Sequence, residues 1–314
     1  MMEVVTIEKL MMLKVDCAVA IGFFDGVHLG HQAVIKNAIM NETMNAIIND
    51  GEDRLKSVVI TFDRSPKVAL GYAEDDGNVT PLADKLRLFE EMGIDYTLVL
   101  KFDPAFLNLT AEEFIQTYLL KINAHRVSVG FDFSFGRGGV GNTDYLANQE
   151  EFKVEVIHPV LISGEKVSTT RIKECLKADH LASVNEMLGR RFSVSGEVIY
   201  GKQLGRTIGF PTANIKLDEG YYLPLHGVYV TVSEIDGMKF PSMTNIGFNP
   251  TVDSQTTLSV ETHLLDCDMD MYGKKLRLEF CEKIRDEMKF EHIEGLTVQL
   301  EKDKKFVERL SIQA

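Results

Sequence analysis

The amino-acid sequence predicts two domains: an α/β domain with a parallel sheet over residues 1–185 and, over residues 186–314, an antiparallel β-barrel or sandwich followed by a terminal helix. Three observations carry this expectation. A chain of 314 residues with 45% hydrophobic and 26% charged side chains is long enough for two cores. Strand-like and helix-like runs alternate as far as about residue 182, the rhythm of a parallel sheet with helices on its faces. After Gly189 the texture changes to short alternating strands punctuated by Gly and Pro, with no helices between them.

In chain order, CAVAIG is a strand followed by a helix over 30–48, SVVITF a strand ahead of a helix over 81–92, and YTLVLKF a strand ahead of a helix over 111–120. RVSVGF and VEVIHPV complete the strands of the first domain. Leu82, Leu86 and Phe89 recur at i, i+4 and i+7 between Thr80-Pro81 and Gly93, a helical face with start and stop signals. Thr110 and Glu113 have the spacing of a capping box. The boundary falls near 183–189, inside ASVNEMLGRR. Beyond it FSVSGEVIY, HGVYVTVSEI, LSVETHLL and KKLRLEF read as strands. A helix over 292–309 then carries Leu296, Leu300, Val307 and Leu310 to cover one end of the barrel.

A formal net charge of -13 argues against a nucleic-acid partner, which binds through clustered Lys and Arg, but leaves small phosphorylated ligands open. Cys17, Cys175, Cys267 and Cys281 have no C-x-x-C spacing, so neither a disulfide framework nor a zinc site is expected. The start MMEVVTIEKL is acidic where a signal peptide is basic, and no apolar run approaches a membrane span. A reducing cytoplasm and no membrane partner are therefore expected.

Residues 24–31, FDGVHLGH, place His28 and His31 three apart after a short apolar run. If a helix begins near Val27, both rings lie on its first turn, where free N–H groups and the positive dipole end favour an anion. Imidazolium donors there would stabilise charge on a departing pyrophosphate, and Gly30 removes a side chain from a nucleotide's path. Metal binding would need further ligands at suitable spacing, which are lacking; acid–base work and plain capping or packing stay open on spacing alone. In KVSTTRIKECL, Ser168, Thr169 and Thr170 precede Arg171 and Lys173, a plausible phosphate clamp or simply an N-cap with a basic face. GRGGVG at 136–141 satisfies G-x-G-x-x-G but lies late in the domain without a helix after it; it reads as a mobile flap in which Arg137 meets a phosphate. In GKQLGRTIGFPTANI, residues 201–215, Gly201, Gly205 and Gly209 permit a tight loop around phosphates. Lys202 and Arg206 add charge there, and Thr212 and Asn214 offer hard oxygens of the kind that help hold magnesium. Glu261 and His263 share one face of a strand.

Taken together, GFFDGVHLGH, VGFDFSFGRGGVGN, KVSTTRIKECL and GFPTAN resemble, in order and placement, the motifs of bacterial bifunctional riboflavin kinase/FAD synthetases, within the wider H-x-G-H nucleotidyltransferase group. GVYV at 227–230, NIGFNPTV at 245–252, MYGKKLRLEF at 271–280 and IRDEMKF at 284–290 extend the similarity over essentially the whole chain. The resemblance implies a Rossmann-like α/β nucleotidyltransferase domain that adenylylates FMN to FAD, releasing pyrophosphate. Behind it, a barrel domain phosphorylates riboflavin to FMN. ATP is the co-substrate of both and Mg2+ the cofactor; no oligomeric state is implied.

The resemblance also makes Glu261 the catalytic base of the kinase and His28 and His31 the catalytic pair of adenylyl transfer. Nucleotide or flavin contacts fall at Gly22, Asp25, Gly30, Asp132, Ser168, Thr169, Arg171, Lys173, Gly201, Lys202 and Arg206, and Arg285 contacts flavin or product phosphate. Thr212 and Asn214 hold the metal. The chain departs from the family in TFDRSP, where Arg64 and Ser65 replace the usual proline and histidine, and at Lys173, where arginine is usual. Lysine cannot reproduce a bidentate fork. A riboflavin kinase with a degenerate first domain is the alternative reading. A non-enzymatic flavin carrier is a third, against which the intact P-T-A-N and Glu261 argue.

Overall fold

The computed structural model describes residues 1–48, 55–71, 74–201, 204–218, 220–250 and 256–311. Residue contacts divide the chain into two compact units, Met1–Thr169 and Thr170–Ala314. The expected division at 185/186 lies within the helix Leu181–Leu188 of the second unit.

The first unit is built on strands β1 (Glu3–Val5), β2 (Cys17–Ile21), β3 (Lys56–Phe62), β4 (Tyr96–Leu100) and β5 (Ala124–Gly130). Small hairpin strands β6 (Ser134–Phe135) and β7 (Gly141–Asn142) come next, then β8 (Lys153–Ile157) and the pair β9 (Leu161–Ile162) and β10 (Glu165–Lys166). The main sheet runs β1-β4-β3-β2-β5-β8, and every pairing in it is parallel. Strand alternation sorts β2 onto two cores. Val19 and Ile21 join Val58, Ile60, Val127 and Phe114 on one face, while Ala18 and Ala20 join Val34, Ile35, Leu88 and Phe89 on the other. A strand covered on both faces is why CAVAI is apolar at every position, as parallel sheets require.

The helices follow their expected bounds closely: Leu29–Ile48, Leu82–Glu91 and Ala111–Ile115, the last continuing as a π-helical stretch over Gln116–Leu120. The capping box forms as its spacing predicts, with Thr110 Oγ1 accepting from the Glu113 N–H at 3.1 Å and Glu113 Oε2 accepting from the Thr110 N–H at 2.8 Å. The helix Ile7–Leu13, capped by Thr6, and β1 are additional to the sequence-based elements. The expected flap is a built hairpin, β6–β7. Gly136 has φ +73 and packs so closely on Ala111 that a Cβ there would lie 2.8 Å from its backbone nitrogen, and the Arg137 N–H donates to the Leu109 carbonyl. Those glycines serve close approach and left-handed turns more than flexibility.

The second unit begins one residue into the helix Thr169–Lys177 and continues with the helix Leu181–Leu188. Six strands follow: β11 (Phe192–Ile199), β12 (Ala213–Leu217), β13 (Gly227–Ile235), β14 (Met238–Pro250), β15 (Thr256–Leu264) and β16 (Lys275–Arg285). They close into an antiparallel barrel in the order β11-β12-β15-β14-β13-β16. Closure removes sheet edges and selects the barrel over the sandwich. Part of its interior is polar: Thr231, Ser233, Ser242, Thr244 and Thr262 are buried and share hydroxyl hydrogen bonds.

The terminal helix, Ile293–Ser311, differs from expectation in where it packs. Leu300, Val307 and Leu310 lie against Val228, Val230 and Met243. Along β13 those valines alternate with the interior residues Tyr229 and Thr231, so the helix covers the barrel's outer face and not its end. The apolar outward positions leave a strip that water would otherwise contact, and burying it is what docks the helix.

Candidate active sites

In the first unit the turn after β2 is the candidate site. Its backbone is unusual: Phe24, Gly26 and Val27 have φ of +56, +86 and +41. Left-handed φ at a bulky or β-branched residue costs on the order of 1–3 kcal/mol and persists only where the surroundings impose it. Here the tethers are several. Thr61 Oγ1 and Lys85 Nζ both donate to the Phe23 carbonyl, at 3.0 and 2.9 Å. Asp25, 5% exposed, accepts the Thr80 N–H at 3.0 Å, and its carbonyl accepts from Thr169 Oγ1 at 2.9 Å. Gln32 Nε2 donates back to the Val27 carbonyl at 3.0 Å.

His28 precedes the helix Leu29–Ile48, and its Nδ1 accepts the His31 N–H at 3.3 Å, the bond an N-cap makes. Capping is therefore part of what His28 does. An acceptor Nδ1 puts the proton of the neutral ring on Nε2, which makes that atom a donor. The His28 and His31 rings stack, with centroids 3.6 Å apart, and Phe24 meets His31 edge-on at 5.4 Å. Gly30 serves this geometry directly: a Cβ there would lie 3.1 Å from the His28 ring. A Cβ at Gly22 would likewise meet the Phe24 ring at 2.8 Å.

Of the other residues predicted for adenylyl transfer, Thr169 is brought to the turn by its bond to the Asp25 carbonyl. Asp132 pairs with Lys166 at 2.6 Å on the surface, and Lys166 also lies over the Phe131 ring. Arg64 is exposed beside Asp63. Ser168 and Thr169 follow β10 at the start of the helix Thr169–Lys177. Arg171 and Lys173 are on that helix in the second unit, where Lys173 Nζ lies 4.7 Å from the centroid of the Tyr222 ring. Sequence reasoning missed Phe24, Thr61 and Lys85, which shape the turn from neighbouring elements.

In the barrel the site is a row across strands. Asn214 on β12 is opposite Glu261 on β15, Glu261 is opposite Asn245 on β14, Asn245 is opposite Val228 on β13, and Val228 is opposite Arg285 on β16. Residues paired this way share a face. Irregular register between β13 and β16 falls at Val228/Tyr229, beside Arg285, where bulges commonly re-aim a side chain. Val228, Asn245, Glu261 and Arg285 line a cavity of about 410 Å³ with Phe210, Met243, His263 and Leu300. A second cavity of about 610 Å³ is lined by Tyr200, Arg206, Pro211, Asp268, Asp270 and Tyr272, among others. Thr212 lines both.

His263 holds the segment between them, its Nδ1 bonded to the Pro211 carbonyl at 2.8 Å. Since a carbonyl only accepts, that nitrogen carries the proton. Burial holds the His263 pKa below its usual value. Arg285 is not turned freely to the cavity: its guanidinium forks onto Asp303 of the terminal helix, with three bonds of 2.8–3.2 Å. Asp303 is 1% exposed and also accepts from Gln299 at 2.8 Å. Gly201 allows the loop to press on Asn214, since a Cβ there would lie 2.1 Å from the amide nitrogen. Lys202 and the end of NIGFNPTV lie outside the described residues. Burial raises the Cys17 thiol to about 12, which keeps it inert.

Comparison with known proteins bears directly on these two sites. The family model for FAD synthetase matches residues 11–171, and that for riboflavin kinase matches 188–311. The bifunctional riboflavin kinase/FMN adenylyltransferase of Listeria monocytogenes is 36% identical over 92% of this chain and 90% of its own length; that of Bacillus subtilis is 34% identical over 91% and 89%. The chain belongs to the bifunctional riboflavin kinase/FMN adenylyltransferase family. Membership makes it an ATP-dependent kinase and adenylyltransferase acting on riboflavin and FMN. A crystal structure described as a macrolide-efflux protein from Streptococcus pneumoniae shares the fold, with a TM-score of 0.85 and 30% identity over 97% of this chain and 98% of that one. Among the described residues here, no helix is long and apolar enough to cross a membrane.

Proposed function

We propose that residues 186–314 phosphorylate riboflavin between the two barrel cavities and that residues 1–185 adenylylate the FMN so formed at the His28–His31 turn. The observation that carries the first assignment is Thr212, which lines both cavities, with Glu261 in one and Arg206 in the other. Phe210, Val228, Met243 and Leu300 suit a flat apolar ring system, so the smaller cavity takes the flavin. The larger takes ATP, whose phosphates meet Arg206 on the short helix Leu204–Thr207. Glu261 accepts the proton of the flavin's 5'-hydroxyl as that oxygen attacks the terminal phosphorus of ATP and ADP leaves.

Thr212 and Asn214 fit a magnesium ion carried in by ATP: both offer neutral oxygens, Asn214 stands opposite Glu261, and among the described residues no cluster of His, Cys, Asp and Glu forms a resident metal cage. When bound, such an ion neutralises phosphate charge. Arg285, already oriented by Asp303, meets flavin or product phosphate.

In adenylyl transfer a phosphate oxygen of FMN attacks the α-phosphorus of ATP and pyrophosphate leaves, so no protein nucleophile is needed. His28 through Nε2, with His31 and the helix N-terminus beneath them, stabilises the charge that builds on the phosphates. Gly22, Asp25 and Gly30 shape the turn around the nucleotide, Ser168 and Thr169 supply hydroxyls, Arg171 and Lys173 follow along the chain, and Asp132 contacts nucleotide or flavin. A cytoplasmic setting supplies the ATP. Chromatography of riboflavin, MgATP and pure protein tests the scheme: FMN rises first and FAD follows. Accumulation of FMN alone, with added FMN left unconverted, would leave a kinase with a degenerate first domain.

A further inference from the structure

Among the described residues, Lys85 is a buried cation that neither reaction uses. It is 2% exposed, near the start of the helix Leu82–Glu91, where the dipole's positive end disfavours a cation. A lysine is almost never fully buried unless something holds its charge, and burying it costs stability that a methionine at the same place would not. Two of the Lys85 contacts fall on Phe23. Its Nζ donates to the Phe23 carbonyl at 2.9 Å and lies 4.1 Å from the centroid of the Phe23 ring. Thr61 Oγ1 donates to the same carbonyl at 3.0 Å. The Phe23 carbonyl therefore points into two donors from two neighbouring elements. The very next residue is Phe24, at φ +56, whose ring meets His31 edge-on.

We propose that Lys85 is a positioning residue for adenylyl transfer: by fixing the Phe23 carbonyl it imposes the left-handed turn that sets His31 against His28. This rests on the assignment of adenylyl transfer to that turn. The conformations at Phe24 and Val27 are ones their own side chains resist, so the turn needs outside bonds to stay populated. A bond from an ammonium group is about twice as strong as one from a neutral donor, which makes Lys85 the firmer of the two holds on that carbonyl. The Lys85 group does not touch the reacting atoms in this assignment. Its effect passes through the backbone.

The experiment measures FAD formation from FMN and MgATP, and FMN formation from riboflavin and MgATP, in the full chain carrying K85M, K85R, T61V or both K85M and T61V. Hydrogen exchange over 17–21 and 56–62 reports whether the first unit remains folded. In K85M, kcat for FAD formation should fall by about tenfold to a hundredfold, the loss expected for one charge-assisted bond. The KM for FMN and the rate of FMN formation should stay as in wild type, and the two strands should keep their protection. K85R, which restores a cation and its donors, should recover part of the loss. Because both donors hold one oxygen, the double variant should lose less than the product of the single losses. An unchanged kcat in K85M overturns the proposal. So does a loss of kcat matched by lost protection in both strands, because Lys85 would then be holding the fold alone. Wild-type protein that makes no FAD would remove the adenylyl-transfer assignment itself and this proposal with it, a failure visible before any variant is made.

Discussion

The turn that carries His28 and His31 takes backbone conformations its own residues disfavour, at Phe24 and Val27, whereas Glu261 sits within a regular strand with Asn214 and Asn245 opposite it on either side. A turn of that kind is held by bonds from elsewhere: from Thr61 on β3, Lys85 on the following helix, and Thr80 and Thr169 beyond. A strand residue is held by the ladder itself. The difference teaches where each activity is vulnerable. Chemistry at the turn depends in part on Thr61, Lys85 and Thr80, which touch no substrate, while chemistry on the barrel depends mainly on the side chains in the row.

The strongest way to separate the two is Glu261→Ala. Loss of a general base should lower FMN formation by about 10²–10⁴-fold. Conversion of supplied FMN to FAD should continue, and the ladder should keep the barrel folded. Loss of both activities in folded protein would break the two-site assignment. Next in size is His28→Asn, chosen because asparagine is a good N-cap but lacks an Nε2 donor. FAD formation should drop by about 10²–10³-fold, the cost of one donor to developing charge. Thermal unfolding should remain close to wild type. A variant that keeps both its stability and its rate of FAD formation would show that capping is all His28 does.

Much of this was legible in the sequence, and what was not has definite causes. Apart from β1 and the helix Ile7–Leu13, the parallel strands and the longer helices of the first unit announced themselves because apolar runs and helical spacing are local signals. β14 did not, since Pro241 interrupts it and a proline ordinarily argues against an inner strand; here it is paired with Val232. Asp236-Gly237, with φ of +51 and +77, is the hairpin turn that could have revealed it. β12 was hidden inside GFPTANI, which reads as loop chemistry. Glu261 and His263 were correctly placed on one face by their spacing. Their company was not visible, because the register that sets Asn214 and Asn245 beside Glu261 joins segments far apart in the chain. Lys85 was invisible for a different reason: a lysine on a helix is ordinarily solvated, and only the packing of the Phe23 loop onto it shows otherwise.

The ladder has one tether of its own, and Asp303→Ala tests it. Asp303 is buried against Arg285 and Gln299, so removing it leaves a guanidinium partly buried without its carboxylate. Breaking such a pair typically costs about 3–5 kcal/mol. Urea unfolding followed by hydrogen exchange in β13 and β16 should show that loss in the barrel, with the first unit unaffected. A loss below about 1 kcal/mol would place the pair with surface ion pairs and leave the terminal helix held by Leu300, Val307 and Leu310 alone.

The smallest expected effect is one of pH, and it sharpens the comparison because it comes from a residue that orients the strand-built site much as Lys85 orients the turn. Burial disfavours the charged form of His263, so its folded pKa lies below the unfolded value, with Lys304 adding repulsion and the Pro211 bond opposing the shift. The unfolded chain therefore binds a proton more readily than the folded barrel. Stability from this group is complete above the unfolded value of about 6.5 and is lost as pH falls from there through the lowered folded value. Between about pH 7.5 and pH 5.5 the barrel should lose stability in wild type. His263→Gln keeps an amide donor for the Pro211 carbonyl but does not titrate, so its loss over the same range should be smaller. Glu261, Arg285 and Glu287, which line the same cavity, and Lys304 are present in both proteins, so their contribution cancels in the difference. Equal pH dependence in the two proteins would mean that the charge of His263 is accommodated in the folded barrel, and that its task is confined to the single bond that holds Pro211 beside Thr212.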